Sequence, residues 1–421
     1  MKKIIVRGPF LTRSGYGEHC RFVLRALRAN EELFDIYAVP ISWGQTGWES
    51  DDTDERRWFD FITTKTQNYI NSGGQFDASL QVTIPNEWQK LAPINIGVTA
   101  GIETNAISPK WVETAMHMDK IIVTSEHAKH GFVNTTFSVK DSNTGQVTND
   151  FKCPTPVDVA GYPVKTIKPD KVDLDLKTDF NFLAIAQWGP RKNFENTITW
   201  FVEEFIDQPV GLILKTSRAK NNVYDRARCE FALKNLLEKY EDRKCSVYLL
   251  HGDMTEQEIT SLYKNKKIKA LVSLSHGEGF GLPLFEAAYN GLPVIAPDWS
   301  GQVDFLHMPV TKKGKTKDKA MFAKVDYSLG PIQEEAVWDG VLERNTMWCY
   351  PEQGSYKMRL REVYKDHGRF AKQAKQLQKY ILKEKSEENM YNKMVTAILD
   401  TVGEPEELDL GFDEEEVQVY G

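Results

Sequence analysis

Two glutamates, Glu278 and Glu286, stand eight positions apart on either side of a glycine-rich stretch that could bind an anion. Between them lie Gly279, Gly281 and Pro283, followed by an apolar run. A glycine-rich turn that leads into a helix lets backbone N–H groups approach an anion, with the positive end of the helix facing it. Backbone amides suit a diphosphate, and carboxylates suit sugar hydroxyls. The spacing therefore indicates a nucleotide-sugar site.

The flanking residues predict the elements that would position these groups. Lys269–Leu274 is a short apolar run typical of a strand, and Pro283–Asn290 has a helical composition. Gly291 and Pro293 would end that helix before the next strand. One carboxylate would then lie on the turn and the other at the end of the first helical turn. The alternative is an ordinary strand, turn and helix with solvated glutamates.

The whole stretch resembles the E-x7-E signature of retaining glycosyltransferases with the two-domain GT-B fold, above all glycosyltransferase family 4. The resemblance implies that Glu278 lies beside the donor sugar and that Glu286 holds the ribose hydroxyls. It also implies that a glycine-rich loop contacts the distal phosphate and the sugar. The residues of that loop are Gly279, Phe280, Gly281 and Leu282.

A second group of candidates is the basic pair Arg191 and Lys192, between a predicted strand and a predicted helix. Two cations at this place could reach a diphosphate beside a helix N-terminus. The family usually has an arginine just after the first strand of this domain and a lysine several residues later. Lys192 matches the lysine, whereas Gln187 occupies the arginine position, so Arg191 is expected to substitute for it. The alternative is a surface basic pair.

Two further donor contacts are expected at the ends of neighbouring strands. Lys215 ends the run GLILK, and a lysine at the C-terminal end of a parallel strand points toward the ligand cleft. We predict that it contacts a phosphate or the sugar; the alternative is a solvated lysine. By resemblance, the turn that includes Met254 lines the pocket for the nucleobase.

The first half of the chain carries the candidates for the opposite wall of the cleft. Gly15 and Gly17 open the first predicted helix and resemble the glycine loop of the family that closes over the donor phosphate. Glu103 follows another predicted strand and resembles the acceptor-side loop of related enzymes. It could orient an acceptor hydroxyl or act as a base. The alternative for Glu103 is helix capping.

Size and composition favour an intracellular protein with two domains. The chain has 421 residues, more than one core usually serves. Its five cysteines are scattered and indicate a reducing compartment, and we see neither a signal peptide nor a membrane span, so a cytoplasmic location is expected. The net charge is −7, but residues 402–421 alone carry eight acidic groups and no basic one. The body of the protein is therefore nearly neutral.

The alternation of strand-like and helical runs predicts an α/β fold of GT-B type, with two Rossmann-like domains facing each other across a cleft. We predict an acceptor-binding domain over residues 1–170 and a nucleotide-sugar-binding domain over 171–388. A helix over 389–402 would return to the first domain, and 403–421 would be an acidic tail. Residues 138–170 are polar and proline-rich and are interpreted as an excursion plus the interdomain linker.

No metal and no cofactor are expected beyond the nucleotide sugar itself. The Asp-x-Asp triplet Asp173–Asp175 lies where the metal-binding motif of the other glycosyltransferase architecture would not lie. No nucleophile can be assigned from spacing. A same-face mechanism is therefore favoured, in which the leaving diphosphate takes the acceptor proton and cations and amides hold its charge.

The identity of the acceptor is inferred from resemblance alone. The opening RGPFLTRSGYGEHCRFVLRAL, the segment GIETN and the segment around TSEH resemble phage-encoded members of the family. Such enzymes act on hydroxymethylated pyrimidines, which implies 5-hydroxymethylcytosine in double-stranded DNA as acceptor and the host cytoplasm as location. The lysine-rich loop Lys312–Lys319 and the basic stretch 357–385 could follow phosphates, or be merely solvated. Tryptophans that could stack a flipped base, or form core, are Trp43, Trp48, Trp58, Trp88 and Trp111.

The sequence thus predicts a retaining, metal-independent glycosyltransferase that moves a sugar from a nucleotide sugar, expected to be a UDP-sugar, to an acceptor hydroxyl. Three alternatives stay open at this point. One is a glycan or protein acceptor in place of DNA. Another is a sugar-nucleotide epimerase, and the third is a non-catalytic protein that binds sugar nucleotides.

Overall fold

A computed structural model describes residues 1–140 and 144–404, and these residues form two parallel six-stranded sheets covered by helices. The alternation of strands and helices that the sequence predicts is therefore present in both halves. The acidic residues 405–421 of the predicted tail lie outside the described residues. None of the helices within 1–140 and 144–404 combines the length and the apolar composition of a bilayer span.

The first sheet has the strand order β2-β1-β3-β4-β5-β8. Its strands, together with the hairpin formed by β6 and β7, are β1 (Lys2–Gly8), β2 (Phe34–Pro40), β3 (Ala78–Val82), β4 (Ile94–Thr99), β5 (Lys120–Val123), β6 (Phe137–Lys140), β7 (Val147–Phe151) and β8 (Val157–Val159). The helices of this half are α1 (Gly15–Arg28), α2 (Asp54–Asn71), α3 (Pro109–Ala115) and α4 (Glu126–Asn134). Strand β8 lies inside the stretch interpreted as excursion and linker, yet it pairs in parallel with β5 and extends the first sheet.

The second sheet has the order β11-β10-β9-β12-β13-β16. Its strands are β9 (Asn181–Ile185), β10 (Gly211–Lys215), β11 (Ser246–Leu250), β12 (Ile268–Val272), β13 (Val294–Pro297) and β16 (Ala323–Val325), with the hairpins β14 (His307–Lys312) and β15 (Lys315–Ala320), and β17 (Tyr327–Pro331) and β18 (Met347–Pro351). Its helices are α5 (Phe194–Phe205), α6 (Val223–Leu237), α7 (Glu256–Lys264), α8 (Leu282–Tyr289), α9 (Val303–Leu306), α10 (Gln353–Lys365) and α11 (His367–Glu384).

The last helix, α12 (Glu387–Val402), packs against α1 and β4 of the first sheet. Its Tyr391 ring lies 6.0 Å from the ring of Phe22 on α1. Apolar burial explains this position, because Met394 and Ile398 are fully buried one turn apart. The division of the chain into domains at the residues named above stays a prediction.

The prediction of a loop over Lys312–Lys319 is wrong. These residues belong to the antiparallel hairpin of β14 and β15, whose turn is Lys313–Gly314. Both turn residues have positive φ, 50° and 75°, the conformation that two-residue hairpin turns require. The lysine-rich composition concealed the strands because it has no apolar alternation.

The tryptophans of the first half divide into core and surface. Trp88 and Trp111 are 4% and 1% exposed, and each indole N–H donates to the protein interior, so these two form core. Trp43 is half-buried with its ring 4.3 Å from that of Tyr16, and Trp48 is exposed. Trp58 is half-buried against the core, and Arg28 lies over its ring at 4.6 Å. Trp43 and Trp48 therefore remain the more accessible pair.

Candidate active site

The turn between β12 and α8 carries a row of consecutive backbone N–H groups at the N-terminus of the helix. Gly281 begins the turn's final bend in the left-handed region, with φ 95° and ψ 58°, which glycine adopts without the strain that a Cβ would bring. Among residues 1–140 and 144–404, no hydrogen-bond acceptor is found for the amides of Gly279, Phe280, Gly281 and Leu282. The first three of these residues are buried, and the fourth is the first residue of α8. Buried amides are normally paired, so this row indicates an anion site.

The predicted cations lie beside that turn. Arg191 and Lys192 belong to a single helical turn between β9 and α5. The Nη1 atom of Arg191 donates to the carbonyl oxygen of Gly277 at 2.7 Å and to Oε2 of Glu278 at 3.2 Å. Lys192 Nζ pairs with Oε1 of Glu278. The cations and the first glutamate of the motif are thus brought together across the C-terminal ends of β9 and β12.

The first half of the chain contributes Glu103 to the same cluster. Its Oε1 atom lies 3.5 Å from Nη2 of Arg191. The structure therefore places the four predicted catalytic residues in one connected group of charges, with Arg191 shared between two carboxylates. This arrangement could hold an anionic leaving group on one side and orient an acceptor hydroxyl on the other.

The electrostatics of the cluster keep Glu278 ionised. Burial by itself would raise the pKa of Glu278, but the positive charges of Lys192 and Arg191 outweigh it and lower the pKa to about 2. Burial and the neighbouring charge of Arg191 lower the pKa of Lys192 despite the attraction of Glu278. Glu278 therefore already neutralises part of the positive charge of Arg191 and Lys192. A bound diphosphate must either compete with Glu278 for these cations or share them with it.

Residues of the first half hold the glycine-rich turn from across the cleft. The Ser125 hydroxyl donates to the carbonyl oxygen of Gly279 at 2.6 Å, and the Thr124 hydroxyl donates to the same oxygen at 3.3 Å. A Cβ atom at position 279 would lie 2.3 Å from the carbonyl oxygen of Ala100. Glycine is therefore required here for the two halves to approach each other, in addition to any contact with a ligand.

Glu286 lies on α8, apart from this cluster, and is partly buried. The Tyr263 hydroxyl donates to its Oε2 atom at 2.7 Å. Burial raises the pKa of Glu286 to about 7, and the lowering effects of Tyr263 and Lys165 do not offset it. The carboxyl group is thus close to half-ionised at neutral pH, and it can accept hydrogen bonds from two ribose hydroxyls only when ionised.

This shift predicts a pH-dependent affinity for the donor. As pH falls from 8 to 6, Glu286 becomes protonated, and the KM for the donor should rise roughly tenfold because each pH unit below the pKa costs a factor of ten. The Glu286→Gln variant should show a raised KM with little dependence on pH. Initial rates at varied donor concentration across this range are the measurement. A variant that keeps the wild-type pH dependence would contradict the assignment.

The same pKa shift makes the folding stability depend on pH. The pKa of Glu286 is about 7 in the folded protein and 4.5 in its ordinary state, so the folded chain binds the proton more tightly. The contribution of this tighter proton binding to the free energy of unfolding is complete below pH 4.5, and it is lost as pH rises through 7.

Lys215 and Met254 lie at the ends of β10 and β11. Lys215 Nζ donates to the carbonyl oxygen of Gly252, and burial lowers the pKa of this lysine. Met254 is half-buried and packs against the large hydrophobic core. Neither makes a contact with Arg191 or Glu278 among the described residues, so their roles as phosphate and base contacts stay predictions.

Gly15 and Gly17 occupy the N-terminal turn of α1. Gly15 is exposed, and its carbonyl oxygen accepts a hydrogen bond from the Tyr162 hydroxyl at 3.4 Å. A Cβ atom on Gly17 would lie 2.0 Å from the carbonyl oxygen of Thr12, so packing already explains this glycine. The Tyr162 ring also lies 4.9 Å from that of Phe280, which connects the two glycine loops.

Several residues that complete the site were not found by sequence reasoning. Tyr263, Tyr162 and Ala100 have no motif to distinguish them, because each acts through a contact with a distant segment. Ser300, whose hydroxyl accepts from the Glu278 amide at 3.0 Å, is equally unmarked. Ser125 did carry a signal, since the Ser-Glu pair after a strand predicts an N-cap, which it is.

One group of potential metal ligands occurs within the described residues. It comprises Asp225, Cys229 and His251, whose ligand atoms lie within 4.8 Å of one another. His251 Nε2 is 2.8 Å from Asp225 Oδ2, and the Asp225 carboxylate also accepts from the amides of Arg218 and Ala219. These hydrogen bonds account for the group as an anchor of the segment before α6.

Comparison with known proteins finds a family match in the second half of the chain. Residues 171–314 match the family described as glycosyl transferases group 1. This segment contains Arg191, Lys192, Glu278 and Glu286. No curated protein matches the chain.

Solved structures share the fold at low sequence identity. Sucrose-phosphate synthase from Thermosynechococcus elongatus has a TM-score of 0.60 at 12% identity, covering 95% of this chain and 99% of that one. Anabaena Alr3699/HepE, solved in complex with UDP and glucose, has a TM-score of 0.56 at 12% identity, covering 95% and 100%. The S. aureus TarM structure has a TM-score of 0.46 at 16% identity; there the match covers 76% of this chain and 55% of that one.

These findings define the class of the protein. The predicted α/β fold of GT-B type, with two Rossmann-like domains, is confirmed. The match of residues 171–314 to glycosyl transferases group 1, within this fold, identifies a glycosyltransferase domain in the second half of the chain.

Proposed function

We propose that the protein is a retaining glycosyltransferase that transfers a sugar from a UDP-sugar to an acceptor hydroxyl without a metal ion. The observation that carries the proposal is the row of amides from Gly279 to Leu282, which lack an acceptor among the described residues and lie beside Arg191 and Lys192. Amides at a helix N-terminus and paired cations suit a diphosphate. A UDP moiety is favoured because HepE, which shares the fold, was solved with UDP.

The geometry supports a same-face transfer. The bond between the anomeric carbon and the diphosphate oxygen breaks, and the bond to the acceptor oxygen forms on the same face of the sugar. The departing diphosphate oxygen takes the proton of the acceptor hydroxyl, so no protein nucleophile is needed. Arg191, Lys192 and the amides stabilise the negative charge that develops on the diphosphate. Glu103, across the cleft, orients the acceptor hydroxyl.

For the acceptor we propose 5-hydroxymethylcytosine in double-stranded DNA, as the resemblance to phage-encoded enzymes implies. Its hydroxymethyl group supplies a primary hydroxyl as nucleophile. Trp43 and Trp48 lie on the first half of the chain and are accessible for stacking on a displaced base. The five thiols, which are all free, are compatible with a reducing cytoplasm, including that of a phage host.

The main alternative is a small sugar or a glycan as acceptor. It is favoured by the shared fold with sucrose-phosphate synthase and with HepE, which was solved with glucose. A panel of UDP-sugars incubated alone, with hydroxymethylated duplex DNA, or with simple sugars separates the two. Nucleotide release that rises only with the modified DNA supports the DNA acceptor, and release that rises only with sugars overturns it.

The same panel tests the two remaining alternatives. An epimerase would convert the UDP-sugar without any acceptor, which chromatography of the recovered nucleotide sugar detects. A non-catalytic protein would bind UDP but release none from any donor. Transfer with retained anomeric configuration, read by NMR of the product, is the expected result.

The Glu278→Gln variant tests whether the carboxylate competes with the diphosphate for the cations. Removal of its charge should strengthen the binding of UDP and lower kcat at the same time, because the cations are released to the product and the donor sugar loses its carboxylate. Calorimetric titration with UDP and steady-state kinetics are the measurements. A variant that binds UDP more weakly would contradict the competition.

A further inference from the structure

A lysine-bearing ribbon projects from the second half of the chain. Strands β14 and β15 pair from His307↔Ala320 to Lys312↔Lys315, and every residue from Thr311 to Lys319 is exposed. Strands of six residues extend about 20 Å at ~3.4 Å per residue. The hairpin is therefore long enough to reach a partner outside the domain.

The register separates the charges onto one face. Side chains alternate along a strand, and directly opposed residues share a face. Lys315, Lys317 and Lys319 therefore lie on the same face of β15, and Lys312, opposite Lys315, joins them. Their remaining cross-strand partners on this face, Val310 and Met308, are uncharged.

The opposite face carries the acidic group. Asp318 lies there and contacts His307 Nδ1 at 3.3 Å. Within the described part of the chain, no carboxylate pairs with any of the four lysines of the other face. Exposed like charges on one face repel one another and create a local positive potential, so a polyanion is the partner with complementary charge.

The base of the ribbon lies beside the active site. His307 Nε2 is 2.7 Å from Asp298 Oδ1, and Lys324 Nζ is 2.6 Å from the other oxygen of the same carboxylate. Asp298 directly follows β13, and Ser300, two residues later, accepts the hydrogen bond of the Glu278 amide. The ribbon thus leaves the domain at the edge of the sheet where Glu278 lies.

We propose that the face of Lys312, Lys315, Lys317 and Lys319 binds the phosphate backbone of double-stranded nucleic acid. Alternate residues of a strand are separated by about 6.8 Å, which is about twice the 3.4 Å rise per phosphate of one DNA strand. A two-stranded ribbon also fits the major groove. The inference rests on the proposed DNA acceptor, since the ribbon would hold the duplex while the base enters the cleft.

A membrane is a less suitable partner for this ribbon. The tip consists of Lys312, Lys313, Gly314 and Lys315 and has no aromatic or large apolar side chain. Stable insertion into an interface needs such anchors on the face that is buried. Electrostatic attraction to phosphates alone accounts for the composition.

The experiment compares two sets of lysine substitutions in the full-length chain. The test variant carries Lys315→Gln, Lys317→Gln and Lys319→Gln. The control variant carries the same number of changes at exposed lysines outside both basic stretches, namely Lys234→Gln, Lys264→Gln and Lys266→Gln. The probe is a fluorescein-labelled duplex DNA, with and without hydroxymethylcytosine, and binding is followed by anisotropy at increasing salt.

We expect the test variant to bind the duplex at least tenfold more weakly at low salt. Its plot of log affinity against log salt should lose about 3 units of slope, because each phosphate contact contributes ~0.9. The control variant should keep the wild-type affinity and slope. Equal losses in both variants, or none in the test variant, would overturn the proposal. Binding to phosphatidylserine vesicles that depends on the ribbon, with unchanged DNA binding, would overturn it in favour of a membrane.

The proposed role of the ribbon and the proposed function can be tested separately. UDP release from a UDP-sugar by hydrolysis, measured without acceptor, reports on the donor site and should be equal in the wild type and both variants. Ribbon-dependent DNA binding without transfer to the modified duplex would support the proposed role of the ribbon and contradict the proposed DNA acceptor. If the test variant transfers sugar to modified DNA with an unchanged KM for DNA, the proposed role of the ribbon is contradicted and the proposed DNA acceptor is supported.

Discussion

The Lys192→Met variant should lose a factor of ~10²–10³ in kcat/KM, because one preorganised charge at a developing anion has about this effect. Lys192 is one of two cations on Glu278 and lies beside the unpartnered amides. Methionine keeps an unbranched side chain, one heavy atom shorter, and removes the charge and the hydrogen-bond donors of the ammonium group. Steady-state kinetics with the best donor of the panel are the measurement.

The control for this change is Lys264→Met, at an exposed lysine of α7. It should leave kcat/KM within about a factor of two, since surface substitutions away from such features have small effects. Burial of Glu278 with one cation in place of two should also lower the folding stability of the Lys192 variant. Thermal unfolding therefore accompanies the kinetics, at a temperature where both proteins are folded. A Lys192 variant that is folded and retains wild-type activity would rule out the assigned role.

The Gly279→Ala variant should lower kcat roughly 100-fold while leaving the fold of each half intact. The added Cβ atom would lie 2.3 Å from the carbonyl oxygen of Ala100, so the glycine-rich turn and the facing loop must separate by about 1 Å. Glu278 is adjacent to this turn and Glu103 follows Ala100, so the separation displaces the groups on both sides of the cleft.

Gly368→Ala is the matched control, because a Cβ at this helical position meets no atom within 4 Å. It should have wild-type kcat and equal or slightly higher stability, since alanine favours a helix over glycine. Kinetics, circular dichroism and thermal unfolding are measured on both variants. An active Gly279→Ala protein would show that the two halves need not approach this closely during catalysis.

The elements that position the site could largely be predicted from local sequence. The helix predicted over Pro283–Asn290 is α8 (Leu282–Tyr289), and helices α5 and α7 carry similarly clear local signals. In α5 the buried residues recur at helical spacing, and α7 begins with a capping box formed by Thr255 and Glu258. The central strands were predicted to within a few residues because parallel strands buried on both faces are continuous apolar runs.

Elements without such local signals were missed. The ribbon of β14 and β15 has few apolar residues, and its strands are specified by their pairing and by the turn at Lys313–Gly314. Strand β8 is only three residues long and is defined by its pairing with β5. In both cases the partner strand, which a single segment does not reveal, determines the structure.

The sequence by itself determined the chemical types at the site: a glycine-rich turn before a helix, two carboxylates eight residues apart, and a basic pair between a strand and a helix. These features are local, because backbone freedom, helix starts and side-chain charge depend on neighbouring residues. The folded chain alone decided how they combine. Tertiary packing pairs Lys192 and Arg191 with Glu278, and it places the Tyr263 hydroxyl where it donates to Glu286. It also brings Gly279 into close contact with the first half of the chain. The physical reason is that charge pairing, burial and steric contact depend on distances between segments far apart in sequence, which only tertiary packing establishes.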